Sequence, residues 1–205
     1  KYNQTTANLG YYQKFNRFSV KLDGRFDDYT YMNDNSAGLG TISSRDRDRS
    51  EYTESLRLAY EFMDGYEVWV QGGLNQRRYS RRVDSGGVRR SSDGWEVLGG
   101  ATLDFGGITQ LEVFGGYRDQ NYDDSRFGHL RGAMFGLTGT WNPLVPLFVK
   151  PYVKRSIEET VSTTHIGYWA TSFGVNVDYD MRPNIKVHSG FSYTIADYKK
   201  AKGAV

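Results

Sequence analysis

The chain has 205 residues, the size of one ordinary domain, and its 26 lysines and arginines against 24 acids leave a formal net charge of +2. A balance this close, with both signs mixed along the sequence, gives no electrostatic reason to expect a nucleic-acid partner. Cysteine is absent, which excludes disulfides, thiolate catalysis and cysteine-zinc sites, and His129, His165 and His188 lack metal-ligand spacing, so no metal and no cofactor is expected.

Glycine at 24 residues, tyrosine at 16, proline at 4 and little helical periodicity indicate an all-β chain. No apolar run is long enough for a transmembrane helix. The negative mean hydropathy would ordinarily indicate a soluble protein, but a membrane-crossing strand alternates its two faces and averages that signal away.

Turn signals divide the chain into about ten alternating runs. The first, near 5 to 13, alternates weakly and turns at Lys14 to Asn16. The second, near 17 to 31, contains FSVKLDGRFD, where Phe18, Val20, Leu22, Gly24 and Phe26 share one face and Ser19, Lys21, Asp23, Arg25 and Asp27 the other. A long polar loop, NDNSAGLGTISSRDRDRS, follows from Asn33. The run near 51 to 62 sets Leu56, Leu58, Tyr60 and Phe62 against Ser55, Arg57, Ala59 and Glu61, and Met63-Asp64-Gly65 turns it into a run near 66 to 80.

A second long loop, VDSGGVRRSSD from Val83, leads to the run near 94 to 105. There Trp95, Val97, Gly99, Ala101, Leu103 and Phe105 oppose Glu96, Leu98, Gly100, Thr102 and Asp104. Gly106-Gly107 turns it into a run near 108 to 121. The loop DDSRFGH precedes a run near 130 to 142, and Asn142 to Pro146 connects to one near 147 to 159, whose Pro151 and Arg155 fall on the otherwise apolar side. After EETVSTTH comes the run near 166 to 180, with Phe173, Val175, Val177 and Tyr179 against Ser172, Gly174, Asn176 and Asp178. Met181 to Asn184 turns it into the last, near 185 to 198, with Ile185, Val187, Phe191, Tyr193 and Ile195 against Lys186, His188, Ser192 and Thr194.

Short and long connections alternate, as in an up-and-down meander with tight turns on one rim and loops on the other. Every run exceeds the about 5 to 6 residues usual in soluble sandwiches and reaches the roughly 9 to 11 that a tilted membrane-crossing strand needs. Aromatics gather at both ends: Phe62, Tyr66, Phe105, Trp141, Phe148 and Tyr179 beside the short turns, and Tyr29, Tyr52, Tyr79, Trp95, Tyr122, Trp169 and Tyr198 toward the loops. Two such belts match the girdles of an outer-membrane barrel. The expected fold is therefore an all-β, antiparallel, up-and-down transmembrane β-barrel, with residues 1–205 as a single domain; a soluble β-sandwich is the competing architecture.

A lysine or arginine facing lipid near the midplane costs about 2 to 4 kcal/mol, which decides the orientation of the two faces. Phe18, Val20, Leu22, Phe26, Leu56, Leu58, Val97, Leu103, Val175 and Val177 are expected to meet lipid. The same parity gathers Lys21, Asp23, Arg25, Asp27, Arg57, Glu61, Glu67, Arg77, Glu96, Asp104, Glu112, Arg118, Lys150, Lys154, Glu158, Asp178 and Lys186 on a lumen wall. Such residues line a wet channel and bias its solutes, or pair across a narrow interior and plug it, or merely solvate the wall. Trp69 and Phe114 also fall inward, where they would stack on sugar rings or fill a constriction.

Arg45, Arg47 and Arg49 in RDRDR, and the pair Arg89 and Arg90, offer guanidinium forks to an acidic sugar or a lipopolysaccharide phosphate. The alternative is a solvated loop with local ion pairs. An enzyme is not expected: no Asp-x-His couple or nucleophile motif is present, adjacent Asp27-Asp28 and Asp123-Asp124 would face opposite ways in a strand, and the glycine pairs at 72, 99 and 115 lie inside strands rather than in phosphate loops.

The segments SSRDRDRSEYTESLRLAYEF, SDGWEVLGGATLDFGGITQLEVFGGYRDQNYDDSRF, LTGTWNPL, KRSIEET and GYWATSFGVNVDYDMRPNIKV, in this order and spacing over most of residues 43 to 192, resemble the second family of β-barrel porins of Gram-negative bacteria. The resemblance implies a single-chain barrel of the bacterial outer membrane, often associated with exopolysaccharide systems. It also implies a longer chain: a start without methionine and an ending in AKGAV, without a terminal aromatic strand, lead one to expect a fragment of a larger barrel. The expected function is porin-like, passing or docking a solute or polysaccharide through a polar lumen; the alternative is a closed or plugged barrel anchoring an envelope or surface assembly. Expected partners are outer-membrane lipid and lipopolysaccharide, a polysaccharide or small solute, and envelope assembly proteins.

Overall fold

A computed structural model describes residues 2–32, 34–36, 40–42, 45–158 and 165–200. Its strands are β1 (Tyr2–Phe15), β2 (Phe18–Tyr31), β3 (Asp34–Ser36), β4 (Gly40–Ile42), β5 (Arg49–Met63), β6 (Tyr66–Tyr79), β7 (Ser92–Phe105), β8 (Thr109–Tyr122), β9 (His129–Leu144), β10 (Leu147–Glu158), β11 (His165–Arg182) and β12 (Ile185–Lys200). Ten of them form one antiparallel sheet in the order β1-β2-β5-β6-β7-β8-β9-β10-β11-β12, each strand beside its chain neighbour. This is the all-β, up-and-down meander expected from the turn spacing. Among the described residues β1 and β12 each have one neighbour, and no helix is long and apolar enough to cross a membrane.

Two connections differ from the expected ones. Within the long loop after β2 a small hairpin, β3 against β4, forms, followed by a single 3₁₀ turn at Arg45–Arg47. The short turn expected from Asn142 begins later, because β9 continues through Pro143 to Leu144; the Asn142 N–H still donates to the Ile108 carbonyl at 2.7 Å, and Pro143 withdraws a single donor. Residues 159–164 of the loop EETVSTTH, and the terminal AKGAV, lie outside the described residues. At the tight turns the chain reverses through positive φ at Asn16 (58°) and Gly65 (79°), conformations open to asparagine and glycine at little steric cost.

Because the ladders keep register, alternation along each strand becomes two faces of the sheet. One row runs Leu22, Leu56, Gly72, Val97 and Tyr117; the row beside it, on the opposite face, runs Lys21, Arg57, Gln71, Leu98, Gly116 and Met134. On the first face Phe18, Leu22, Leu56, Leu58 and Val97 are exposed, and Val20, Phe26, Leu103, Val175 and Val177 are partly so. The second face is concave. Arg57 on β5 reaches Glu112 on β8 at 3.1 Å, across three strand spacings that would separate their backbones by roughly 14 Å in a flat sheet.

Glycine allows aromatic rings to lie flat on the concave wall. In the row Ala59, Trp69, Gly100, Phe114 and Gly136, a Cβ at Gly100 would fall 2.5 Å from the Trp69 ring, and one at Gly136 would strike the Phe114 ring. Trp69 is 5% exposed and Leu98 and Met134 are buried beside it, so the concave face carries an apolar belt at mid-height.

The aromatic belts are narrower than the sequence suggests. Phe62, Tyr66, Phe105, Trp141 and Tyr179 belong to the apolar face, but Phe148 pairs with Asp178 on the other. Toward the loops Tyr52 and Trp95 are exposed on the face of Leu56 and Val97. Tyr29 and Tyr79 flank Arg49 on the concave side, Tyr198 pairs with Tyr168, and Tyr122 and Trp169 are buried, Trp169 against Gly132. Proximity to a strand end did not distinguish the two faces; parity did for all but Trp169, which shares the parity of Val175 yet lies buried against Gly132. From Trp95 to Phe105, at about 3.3 Å per residue and a tilt of about 40°, the apolar face climbs roughly 25 Å, the height of a barrel's lipid-facing band.

Candidate functional site on the concave face

Cross-strand register sorts the charged residues of the concave face into levels. Beside the tight turns lie Glu61, Glu67 and Glu112 in one row with Thr102 and Thr138. Lys14 bonds Glu61 at 2.5 Å. Asp104 serves the turn itself, accepting from the Gly107 N–H at 2.7 Å and from Gln110 at 3.3 Å.

At mid-height the apolar belt is capped by a cation. The guanidinium of Arg57 lies 3.8 Å from the centre of the Trp69 ring, donates to Gln71 at 2.9 Å and to Glu112 at 3.1 Å, and Phe114 lies 6.1 Å from the same ring. With Arg57 on one side and Gly100 on the other, Trp69 has no free face for a sugar ring. It fills space at the wall.

Above the belt, toward the loops, charges alternate in close pairs: Lys21 with Asp23 at 2.9 Å, Arg25 with Asp27 at 2.5 Å, Arg118 with Glu96 at 3.7 Å, and Arg49 and Arg77 on Glu51 at 2.6 and 3.7 Å. Asp27 also accepts from Thr6 and Gln4 at 2.6 and 3.1 Å. Farther along the sheet Lys150 and His188 meet Asp178 at 2.6 and 2.7 Å, and Lys186 meets Asp180 at 3.4 Å. Lys154 and Glu158 are exposed, Glu158 accepting from Ser156 at 3.0 Å. The structure thus brings the residues from Lys21 to Arg118 together on one surface, with Glu158 of β10 close enough to act on Arg118, and leaves Lys150, Asp178 and Lys186 as a separate group.

Sequence reasoning missed Glu51 and Asn75, although strand parity assigns both to this face, alternating with Thr53 and Arg77. Gln120 and Ser92, joined by a 2.9 Å hydrogen bond in full burial, lie beneath the loops, where the sequence carries no signal for burial.

Three aspartates organise the loop rim. Asp46 accepts from Arg81 at 2.8 Å and from the Ser85 N–H at 3.0 Å. Asp84 accepts from the N–H groups of Gly86 and Val88, each at 2.9 Å, and from Arg90 at 2.6 Å. Asp124 accepts from the Arg89 N–H at 3.0 Å and from the guanidinium of Arg126, which also donates to the Gly87 carbonyl at 2.6 Å. Beneath them Val88, Phe127, Tyr122 and Leu130 are buried. Hydrogen bonds to Ser85 hold the Asp46 carboxyl below the usual carboxylate range, and the bond from Arg126 does the same for Asp124.

Of the loop arginines, Arg49 is the first residue of β5 and is engaged by Glu51 between Tyr29 and Tyr79, while Arg90 is tied to Asp84. Arg47 and Arg89 present exposed side chains; the side chain of Arg45 lies outside the described residues.

An exposed apolar face of membrane height and a concave polar face are the two sides of a barrel wall. No curated protein matches the chain. A family model does match, over residues 1–204, and by it the chain belongs to the family described as Putative beta-barrel porin 2.

Proposed function

We propose that the chain is the wall of an outer-membrane barrel whose concave face lines a lumen that passes or docks a polar solute or polysaccharide, selecting by size and charge without chemistry. One observation supports this above the rest: the charged face is concave, ion-paired and continuous from Lys21 to Arg118, while the opposite face exposes leucine, valine and phenylalanine. Lipid covers the second, and water or solute fills the first. Of the loop arginines singled out in the sequence, Arg47 and Arg89 present exposed side chains to lipopolysaccharide phosphates.

The buried belt of Trp69, Leu98 and Met134, with Phe114 partly buried against it, supports a second reading, a barrel closed at mid-height that anchors an envelope assembly. Single-channel recording from the full-length protein in planar bilayers separates the two. A steady open current is the result expected of a porin, and its absence across repeated insertions would favour the plugged anchor.

A further inference from the structure

Between the apolar belt and the loop rim the concave face holds a recess of about 300 Å³, lined by residues that include Arg25, Thr53, Asn75, Arg77, Glu96 and Arg118. Glycine makes the space. A Cβ at Gly73 would fall 2.9 Å from Glu96 Cγ, so the missing side chain lets Glu96 lie against the wall. The charges around the recess answer one another, Arg25 with Asp27, Arg77 with Glu51 and Arg118 with Glu96. A visiting ion of either sign therefore meets no uncompensated opposite charge.

A different need is left unmet. Asn75 is 8% exposed, and its Oδ1 accepts from no protein donor among the described residues. In the same cross-strand row, beyond Gly94, the Oε1 of Gln120, 1% exposed, is in the same condition. Buried amide oxygens are nearly always satisfied in native proteins. Asn75 Oδ1 needs a donor, an anion would bring it only further acceptors, and with the charges of the recess already paired an ion of neither sign gains a net attraction there. A neutral hydroxylated molecule supplies donors and can use the paired arginines and carboxylates for its remaining hydroxyls. At about 300 Å³ the volume lies at the small end of ligand sites, fitting a single ring rather than a long segment.

We propose that this recess is a binding station for a neutral polyhydroxylated solute, a sugar unit or polyol, which donates a hydroxyl to Asn75 Oδ1. The station rests on the concave face being a wet lumen.

The test is calorimetric titration of the full-length protein in detergent with maltotetraose, set beside an acidic oligogalacturonate and a cationic glucosamine oligomer, with bilayer recording of the same preparation. Maltotetraose should bind saturably and more tightly than either charged probe, and Asn75→Ala should weaken it about tenfold, the worth of one hydrogen bond to a buried acceptor. Thr53→Val, a near-isosteric change, should also weaken it and serves if Asn75→Ala does not fold. Absence of saturable binding, equal or tighter binding of a charged probe, or wild-type affinity in the folded variants overturns the station, water alone then occupying the recess. Binding without current would instead overturn solute passage and leave the station standing.

Discussion

The guanidinium of Arg57 stacks 3.8 Å above the centre of the Trp69 ring. From there it reaches Glu112 three strands away at 3.1 Å, tying the apolar belt to the acidic row beside the turns. Replacing Arg57 by methionine removes the stacking and leaves Glu112 without its cation. The expected cost is about 1 to 2 kcal/mol of unfolding free energy, measured by urea titration of the folded barrel in lipid vesicles. In bilayers the same variant should shift ion selectivity toward cations, read as a change of reversal potential in a salt gradient. An unchanged reversal potential would remove Arg57 from the conducting path.

Opposite faces should respond oppositely to one charge. Val70 belongs to the apolar face and its neighbour Gln71 to the concave one. Val70→Arg, near the middle of the apolar band, should destabilise the barrel by about 2 to 4 kcal/mol, and Gln71→Arg should cost far less. Equal losses in vesicle refolding would contradict the assignment of the faces.

Glycine positions on the two faces are likewise unequal. A Cβ at Gly100 meets the Trp69 ring and the Val113 carbonyl at 2.5 Å, whereas one at Gly72 meets nothing within 4 Å. Gly100→Ala should lower stability by about 1 to 3 kcal/mol through overpacking, and Gly72→Ala should be near neutral. Heat-shifted gel mobility gives the comparison directly.

The loop rim should loosen in acid. Asp46 and Asp124 have depressed carboxyl pKa values in the folded protein. Their contribution is complete above the unfolded carboxylate value of about 4 and is lost as pH falls below it. Pepsin should therefore leave the loops 80–91 and 123–128 intact near pH 4 and cut them near pH 2. Asp124→Asn should move the onset of cleavage upward, since the neutral amide holds Arg126 less strongly.

Alternation was decisive in the sequence because side-chain period is tied to strand geometry: Phe18 to Phe26 against Lys21 to Asp27 allowed one division of faces, and the connections fixed the order of the sheet. Family membership was legible in the same segments. Other features depended on which strands came to lie side by side. Arg57 and Glu112 are far apart in the chain, and only register and curvature bring them together. Trp69 lies flat because Gly100 happens to face it across a ladder. Nothing in the local sequence marks Asp46, Asp84 and Asp124 as organising residues, and their role emerges only where three loops converge. Local pattern determines which side of a strand a residue occupies, and packing between strands decides what it meets there.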